Sequence, residues 1–202
     1  MIKLISAIIM ASGFSNRMGQ NKLLMKYNDK FLIEHTLNIV SQCNFKKKIL
    51  VTQYEEIKEL GEKLNYNVVI NNSPNKGQSE SIKLGVKNSP KCDGYMFFVG
   101  DQPLLNKDDI EKLVKIFKDD RNYIVIPKYK DKCGNPVIYP TIYKEQILKL
   151  EGDKGGKSII KSSDKIKYVD VSENTLFDID NIDDFNNLFE RKAENERRYS
   201  SN

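Results

Sequence analysis

An α/β fold is predicted by three features of the chain. Leu4 to Met10 is a continuous apolar run rich in β-branched residues, halted by Ala11-Ser12-Gly13. Such a run without polar alternation marks a strand covered on both faces. Short runs of the same kind then alternate with helix-period segments as far as Pro127, which implies βαβ units and a mostly parallel sheet. Finally, 202 residues with 39% hydrophobic and 30% charged side chains suit one well-solvated globular domain. The expected architecture is a single three-layer αβα domain over residues 1–194, with 195–202 as a frayed tail.

In chain order, Leu4 to Met10 is the first strand. Leu32, Thr36, Leu37 and Val40 lie at helical spacing within Phe31 to Val40. Lys48 to Thr52 reads as a strand, and Glu55 to Leu64 as a helix with Ile57, Leu60 and Leu64 on one side. Asn67 to Asn71 and Tyr95 to Gly100 are strand-like. Ser79 to Lys87 and Lys107 to Lys118 carry helical patterns, the latter through Ile110, Leu113, Val114 and Phe117. Beyond the strand-like Tyr123 to Pro127 the rhythm changes. Pro136 to Pro140 is strand-like and bracketed by prolines, Gly155-Gly156 opens a short helix, and Lys165 to Val171 alternates. This part reads as a small edge insertion. Phe177 to Asp180 and a helix from about Asp183 to Glu194 close the chain.

Composition excludes several classes. No apolar run approaches the ~18 residues of a membrane span, and no small-residue cleavage site follows Leu4 to Ala11, so a cytoplasmic protein is expected. Cys43, Cys92 and Cys133 are odd in number and widely spaced, and His35 is the lone histidine. A disulfide framework and a structural zinc do not follow from that set. The net charge of +5 is spread along the chain, so nucleic-acid binding has little support.

Four constellations carry chemistry. Ala11 to Lys22 is a long polar loop after the first strand, where open α/β sheets hold ligands. It fits neither GxGxxG nor the Walker pattern, yet offers Ser12, Ser15, Arg17, Lys22 and flexible glycine backbone, a set suited to polyphosphate. Arg17 is the only arginine before Arg121. Gly77-Gln78-Ser79-Glu80-Ser81 opens a helix; Ser79 is either a nucleotide contact or a simple N-cap. Asp101, in Gly100-Asp101-Gln102-Pro103, emerges from a very apolar strand and suits a hard cation shared with nucleotide phosphates. In Phe177 to Asp184, alternation places Asp178 and Asp180 on one face, where one of these carboxylates completes a magnesium site; the competing reading is Asn181 or Asp180 as the cap of the last helix. His35 has no partner in motif spacing and reads as a packed or surface histidine with no assigned role.

Taken together, Met10-Ala11-Ser12-Gly13-x-Ser15-x-Arg17-Met18-Gly19-x-x-Lys22-Leu23-Leu24, Gly77-Gln78-Ser79-x-Ser81, Gly100-Asp101-Gln102-Pro103, Gly134-Asn135-Pro136 and Asp178-Ile179-Asp180 resemble the molybdenum cofactor nucleotidyltransferases, closest to the cytidylyltransferase branch. The resemblance runs from about residue 4 to residue 190 and implies a single Rossmann-like α/β domain with a mostly parallel sheet. It implies that Ala11, Ser12 and Gly13 contact base and ribose, that Arg17 and Lys22 clamp the triphosphate, and that Gln78 and Ser79 help to recognise the nucleotide. It further implies Mg²⁺ on Asp101 and Asp180, and a molybdopterin-type pterin beside Gly134, Asn135 and Pro136. The family more often has a second Ala where this chain has Ser12 and a His where it has Asn135. Guanylyl-transferring relatives tend to carry Gly at the first of these positions; the larger Ser12 leans towards a pyrimidine.

The activity so implied is transfer of CMP from CTP to the terminal phosphate of that cofactor with release of pyrophosphate, and a transient contact with a molybdoenzyme client. An anionic nucleophile needs no side-chain base, which agrees with the absence of a Ser-His-Asp or Cys-His set. The alternatives are guanylyl transfer, nucleotidyl transfer to a sugar or polyol phosphate, and a delivery module that binds the finished cofactor.

Overall fold

The computed structural model describes residues 4–15 and 18–189. The strands and helices are β1 (Ile5–Ala11), β2 (Lys26–Tyr27), β3 (Lys30–Phe31), α1 (Leu32–Gln42), β4 (Lys47–Thr52), α2 (Glu55–Lys63), β5 (Asn67–Ile70), α3 (Gln78–Lys87), β6 (Gly94–Val99), α4 (Lys107–Asp119), β7 (Ile124–Tyr129), β8 (Lys132–Cys133), β9 (Val137–Pro140), α5 (Lys144–Leu148), α6 (Lys157–Lys161) and β10 (Ile166–Asp170). A last helix covers 182–189. The expected tail at 195–202 and the domain end at 194 lie outside the described residues. Among the described residues no helix is long and apolar enough to cross a membrane.

The main sheet runs in the order β10-β7-β9-β6-β1-β4-β5, with β8 paired to β7. At its centre β1 lies parallel to β4 and β6, Ile8 standing level with Ile49 and Phe97. Two apolar layers explain why β1 needs no polar alternation. On one face Ile9, Leu50 and Phe98 pack with Leu37 of α1, Ile57 of α2 and Phe117 of α4. On the other, Ile8, Ile49 and Phe97 pack with Ile82 and Val86 of α3, Ile147 of α5 and Ile159 of α6. Each fully buried Ile or Phe contributes roughly 1.5 to 3 kcal/mol relative to an exposed one. The expected αβα layering is therefore present.

One element departs from expectation. Val137–Pro140, read as part of an edge insertion, runs antiparallel inside the sheet between β6 and β7, while only β10 takes the edge. The bracketing prolines suggested an edge because proline cannot donate to a ladder. Both stand at the strand's limits: Pro136 precedes β9, and Pro140 pairs with Gly94 at the end of the register. All four residues of β9 are buried, as an interior strand requires.

Phe177 to Asp180 forms no strand, although its side chains alternate as read. Ile179 is fully buried with Tyr27, Leu32 and Leu188, while Asp180 is exposed. A backbone bond from Ile179 N–H to Asp101 O, 3.1 Å, fastens this segment to the turn after β6.

Candidate active site

The carboxyl ends of β1 and β6 open onto a cleft of about 500 Å³, the position where open α/β sheets bind ligands. It is lined by Ala11, Ser12, Gly13, Ser15, Lys22, Gln78, Asp101 and Asp180 of the expected set, with Gly77, Ser81 and Asp153 completing one wall. Arg17 lies outside the described residues.

The first loop is oriented by β4 and the residues after it. Ala11 O accepts from Thr52 Oγ1 (3.0 Å), Ser12 O from Gln53 Nε2 (2.8 Å), and Gly13 O from the Tyr54 hydroxyl (2.8 Å). The C=O and N–H of one trans peptide point in opposite directions, so the N–H groups of Ser12, Gly13 and Phe14 face away from Thr52, Gln53 and Tyr54, on a loop that lines the cleft. The Ser12 hydroxyl donates to Val51 O at 3.2 Å and is thereby turned into the β4 end of the loop. Ser15, at φ +54°, accepts from Lys22 N–H at 3.1 Å, and Gly19 takes φ +65°, where a side chain would be strained. Asn21 then caps the short 3₁₀ turn Lys22–Leu24.

Lys22 is held from both sides and placed over the floor of the cleft. Its Nζ lies 2.6 Å from Asp101 Oδ2, donates to Ile179 O at 2.5 Å and stands 3.6 Å from Asp180 Oδ1. The Lys22 and Asp101 side chains are only 16% and 15% exposed, so this charge pair is shielded from water far more than a surface pair. Asp101 Oδ1 is buried without a hydrogen-bond partner among the described residues, which marks an oxygen available to a further cation. Gly100 allows the turn to pass under α1, because a Cβ there would come within 2.7 Å of Ile33 Cδ1.

Asp178 lies beside this pair as an exposed residue. Partial desolvation by the neighbouring protein, and after it the charges of Asp101 and Asp180, raise its carboxyl above the usual 3.8, with Lys22 opposing. A carboxyl raised on folding stabilises the protein fully below its unfolded value and loses that contribution as pH rises through the folded value. Asp178→Asn, neutral at every pH, is thus expected to raise the thermal midpoint at pH 7 relative to the parent, with the difference closing below about pH 3.8. Melts of both proteins across pH 3 to 8 check this; a variant less stable at pH 7 contradicts it.

The remaining expected residues sit elsewhere. Ser79 is fully buried, its hydroxyl on Lys76 O at 3.4 Å, and is absent from the cleft lining. It is not the N-cap of α3, since Gly77 holds that place. The helix N-terminus is closed by the chain itself: Gln78 N–H donates to Asp153 Oδ1 (3.3 Å) and Ser79 N–H to Gly152 O (3.0 Å). Gly134, Asn135 and Pro136 are absent from the cleft lining. Asn135 precedes a cis bond to Pro136, and its carbonyl accepts from Gln102 Nε2 at 3.1 Å. The buried Gln102 also donates to Thr175 O at 3.3 Å, so it joins the 134–136 turn to the segment that carries Asp178 and Asp180. Asn181 caps the last helix, accepting from Asp184 N–H at 2.9 Å, while Asp184 Oδ2 takes the Asp180 and Asn181 N–H groups. His35 bonds Tyr27 O at 2.8 Å and packs tilted at 51° against that ring, the first of the two places read for it.

Two features escaped the sequence reading. One is Asp153, on a glycine-rich turn distant in sequence; the run Gly152-Asp153-Lys154-Gly155-Gly156 was a signal for it. The other is Asp109 of α4, which accepts from Ser172 N–H (2.9 Å), Ser172 Oγ (2.7 Å) and Thr175 Oγ1 (2.6 Å). No local pattern announces that link.

The donor set fits a hard divalent cation. Asp101 and Asp180 are carboxylates converging on one point, and the described residues hold no group of three or more His, Cys, Asp or Glu arranged for a metal. Magnesium commonly takes one or two carboxylates and draws its other ligands from phosphates and water.

A polar loop, a lysine and two carboxylates thus meet in one cleft of an α/β fold. The sequence profile of the MobA-like NTP transferase domain matches residues 7–167. The chain is 30% identical to a probable molybdenum cofactor guanylyltransferase of Thermococcus sibiricus, over 77% of this chain and 80% of that protein. A protein of the same description from Pyrococcus horikoshii is 25% identical over 83% of each. Among solved structures, a manganese complex of Rv0371C from Mycobacterium tuberculosis superposes with a TM-score of 0.78 at 21% identity, covering 93% of this chain and 99% of that one. The chain belongs to the MobA-like NTP transferase domain family and is a nucleotidyltransferase.

Proposed function

We propose that this enzyme transfers a nucleoside monophosphate from a nucleoside triphosphate to the terminal phosphate of a molybdopterin-type cofactor. An oxygen of the acceptor phosphate attacks the α-phosphorus, and the bond to pyrophosphate breaks. The observation that carries the reading is the Lys22–Asp101 pair in the cleft that residues 12–14 also line. The amides would cradle the triphosphate, Lys22 would swing from Asp101 to the phosphates, and Asp101 with Asp180 would hold Mg²⁺. When bound, the metal supplies positive charge to the triphosphate and the departing pyrophosphate. Catalysis then rests on alignment and charge neutralisation, with no side-chain base.

Two donors each have an observation in their favour. The resemblance of the first loop, with Ser12 in place of Gly, favours CTP. The relatives named guanylyltransferases favour GTP, and the Ser12 hydroxyl, held on Val51 O, adds little bulk to the cleft. Incubation with molybdopterin and each α-labelled triphosphate, in Mg²⁺ and in Mn²⁺, is expected to yield one labelled cofactor dinucleotide and pyrophosphate. Label appearing only on sugar or polyol phosphates would replace the acceptor. Binding of the finished dinucleotide with no transfer from any triphosphate would make the chain a delivery module.

A further inference from the structure

Helix N-termini attract anions, and the start of α3 borders the cleft, yet a carboxylate of the chain already occupies that place. Asp153 Oδ1 accepts from Gln78 N–H at 3.3 Å, and Gly152 O takes the Ser79 N–H. The contact is built closely. Gly77 sits at φ +81°, and a Cβ on it would come within 2.4 Å of the Gly152 carbonyl carbon and 2.6 Å of Asp153 Oδ1. A Cβ on Gly155 would lie 2.7 Å from Gln78 Oε1, so the Gln78 carboxamide stands against the same turn. Both side chains line the cleft. Among the described residues neither Asp153 Oδ2 nor the Gln78 carboxamide is recorded with a hydrogen-bond partner.

We infer that Asp153 is a specificity-determining residue that selects a nucleotide whose base carries an exocyclic amino group, with Gln78 beside it. This rests on the reading that the cleft takes a nucleoside triphosphate. Phosphates are repelled from this wall by the carboxylate and drawn to the amides and Lys22 on the other side, which leaves the base to face Asp153. A carboxylate only accepts hydrogen bonds. It pairs with the amino group of cytosine or with the N1–H and amino group of guanine. Towards the O4 carbonyl of uracil it presents an acceptor to an acceptor, and inosine triphosphate lacks the amino group altogether. Gln78 supplies the complementary N–H₂ for a ring nitrogen or carbonyl. A site built around such a bond rejects the analogue that lacks it more strongly than an apolar pocket can.

The test compares dissociation constants by calorimetry for two matched pairs, CTP with UTP and GTP with ITP, in the parent and in Asp153→Asn. Asn keeps an oxygen for the Gln78 N–H, so the turn is retained, and its N–H₂ can meet a base carbonyl. In the parent, the amino-bearing member of the pair that binds is expected to be tighter by at least about tenfold, the effect of one charge-assisted bond. In the variant that ratio should fall to within about threefold of unity. An unchanged ratio in a variant that melts like the parent overturns the inference about Asp153 alone. No binding of any of the four nucleotides to the parent overturns the reading of the cleft itself. Should the Asn variant fail to fold, Asp153→Ser, whose hydroxyl can also cap α3, gives the same comparison.

Discussion

Asp101→Asn is expected to lower nucleotidyl transfer by roughly a thousandfold or more while the protein stays folded, because it removes the negative charge at the floor of the cleft. The substitution keeps the size of the side chain and one oxygen for Lys22, whose ammonium also retains Ile179 O and Asp180. The turn itself is held by backbone and neighbours: Ile179 N–H bonds Asp101 O, and Thr36 Oγ1 reaches Gly100 O and Gln102 O at 3.3 and 3.2 Å. The thermal midpoint should therefore move by no more than about 2 °C. Steady-state turnover and a melt, read on the same preparation, settle the matter. Near-normal turnover would remove Asp101 from the metal site, and a collapse of the midpoint would make its role structural.

Asp109→Ala is expected to have the largest effect on stability away from the apolar core. Three donors end on one carboxylate oxygen, Asp109 Oδ2, and Thr175 is fully buried. Removing the acceptor leaves the Ser172 N–H unpaired and the two hydroxyls with only each other at 3.2 Å. Losing hydrogen bonds to a charged group in this part-buried place costs about 3 kcal/mol, a drop of roughly 6 to 12 °C for a chain of this size. Activity should fall as well, since 172–175 leads directly into Asp178 and Asp180 and Thr175 O is tied to Gln102. A midpoint within about 1 °C of the parent would show that the network adds nothing.

Much of the fold was legible because the central strands and their covering helices are coded locally. Leu4 to Met10 lacks alternation because both faces are covered, and Ile110, Leu113 and Phe117 fall on the buried side of α4 at the spacing read. The interior place of β9 was not legible, because strand order depends on which distant edge is free, and terminal prolines mimic an edge signal. In the site, the first loop, Gln78 and the carboxylates at 101 and 180 come together in one cleft, as contiguous motifs placed at strand ends would. Ser79 could not be separated from its neighbours by sequence, since one step along a helix turns a side chain by about 100° and carries it from cleft to core. Asp153 and Asp109 act on partners 75 and more than 60 positions away, a distance at which no spacing rule operates.

The antiparallel insertion of β9 also bears on how the chain comes into being. Gly94–Val99 is a strand of almost wholly buried residues, and one of its two flanks is closed only by residues 137–140. During synthesis, while about forty residues are still to emerge, that flank presents bare backbone groups and large aromatic side chains, the state most prone to pairing with another nascent chain. The first hundred residues contain most of the cleft, yet they cannot make a quiet folding unit alone. Completion of the sheet from its interior ties the birth of the nucleotide half to the arrival of the half that carries Asp153 and Asp180, so a partly made chain is committed to finishing or to aggregating.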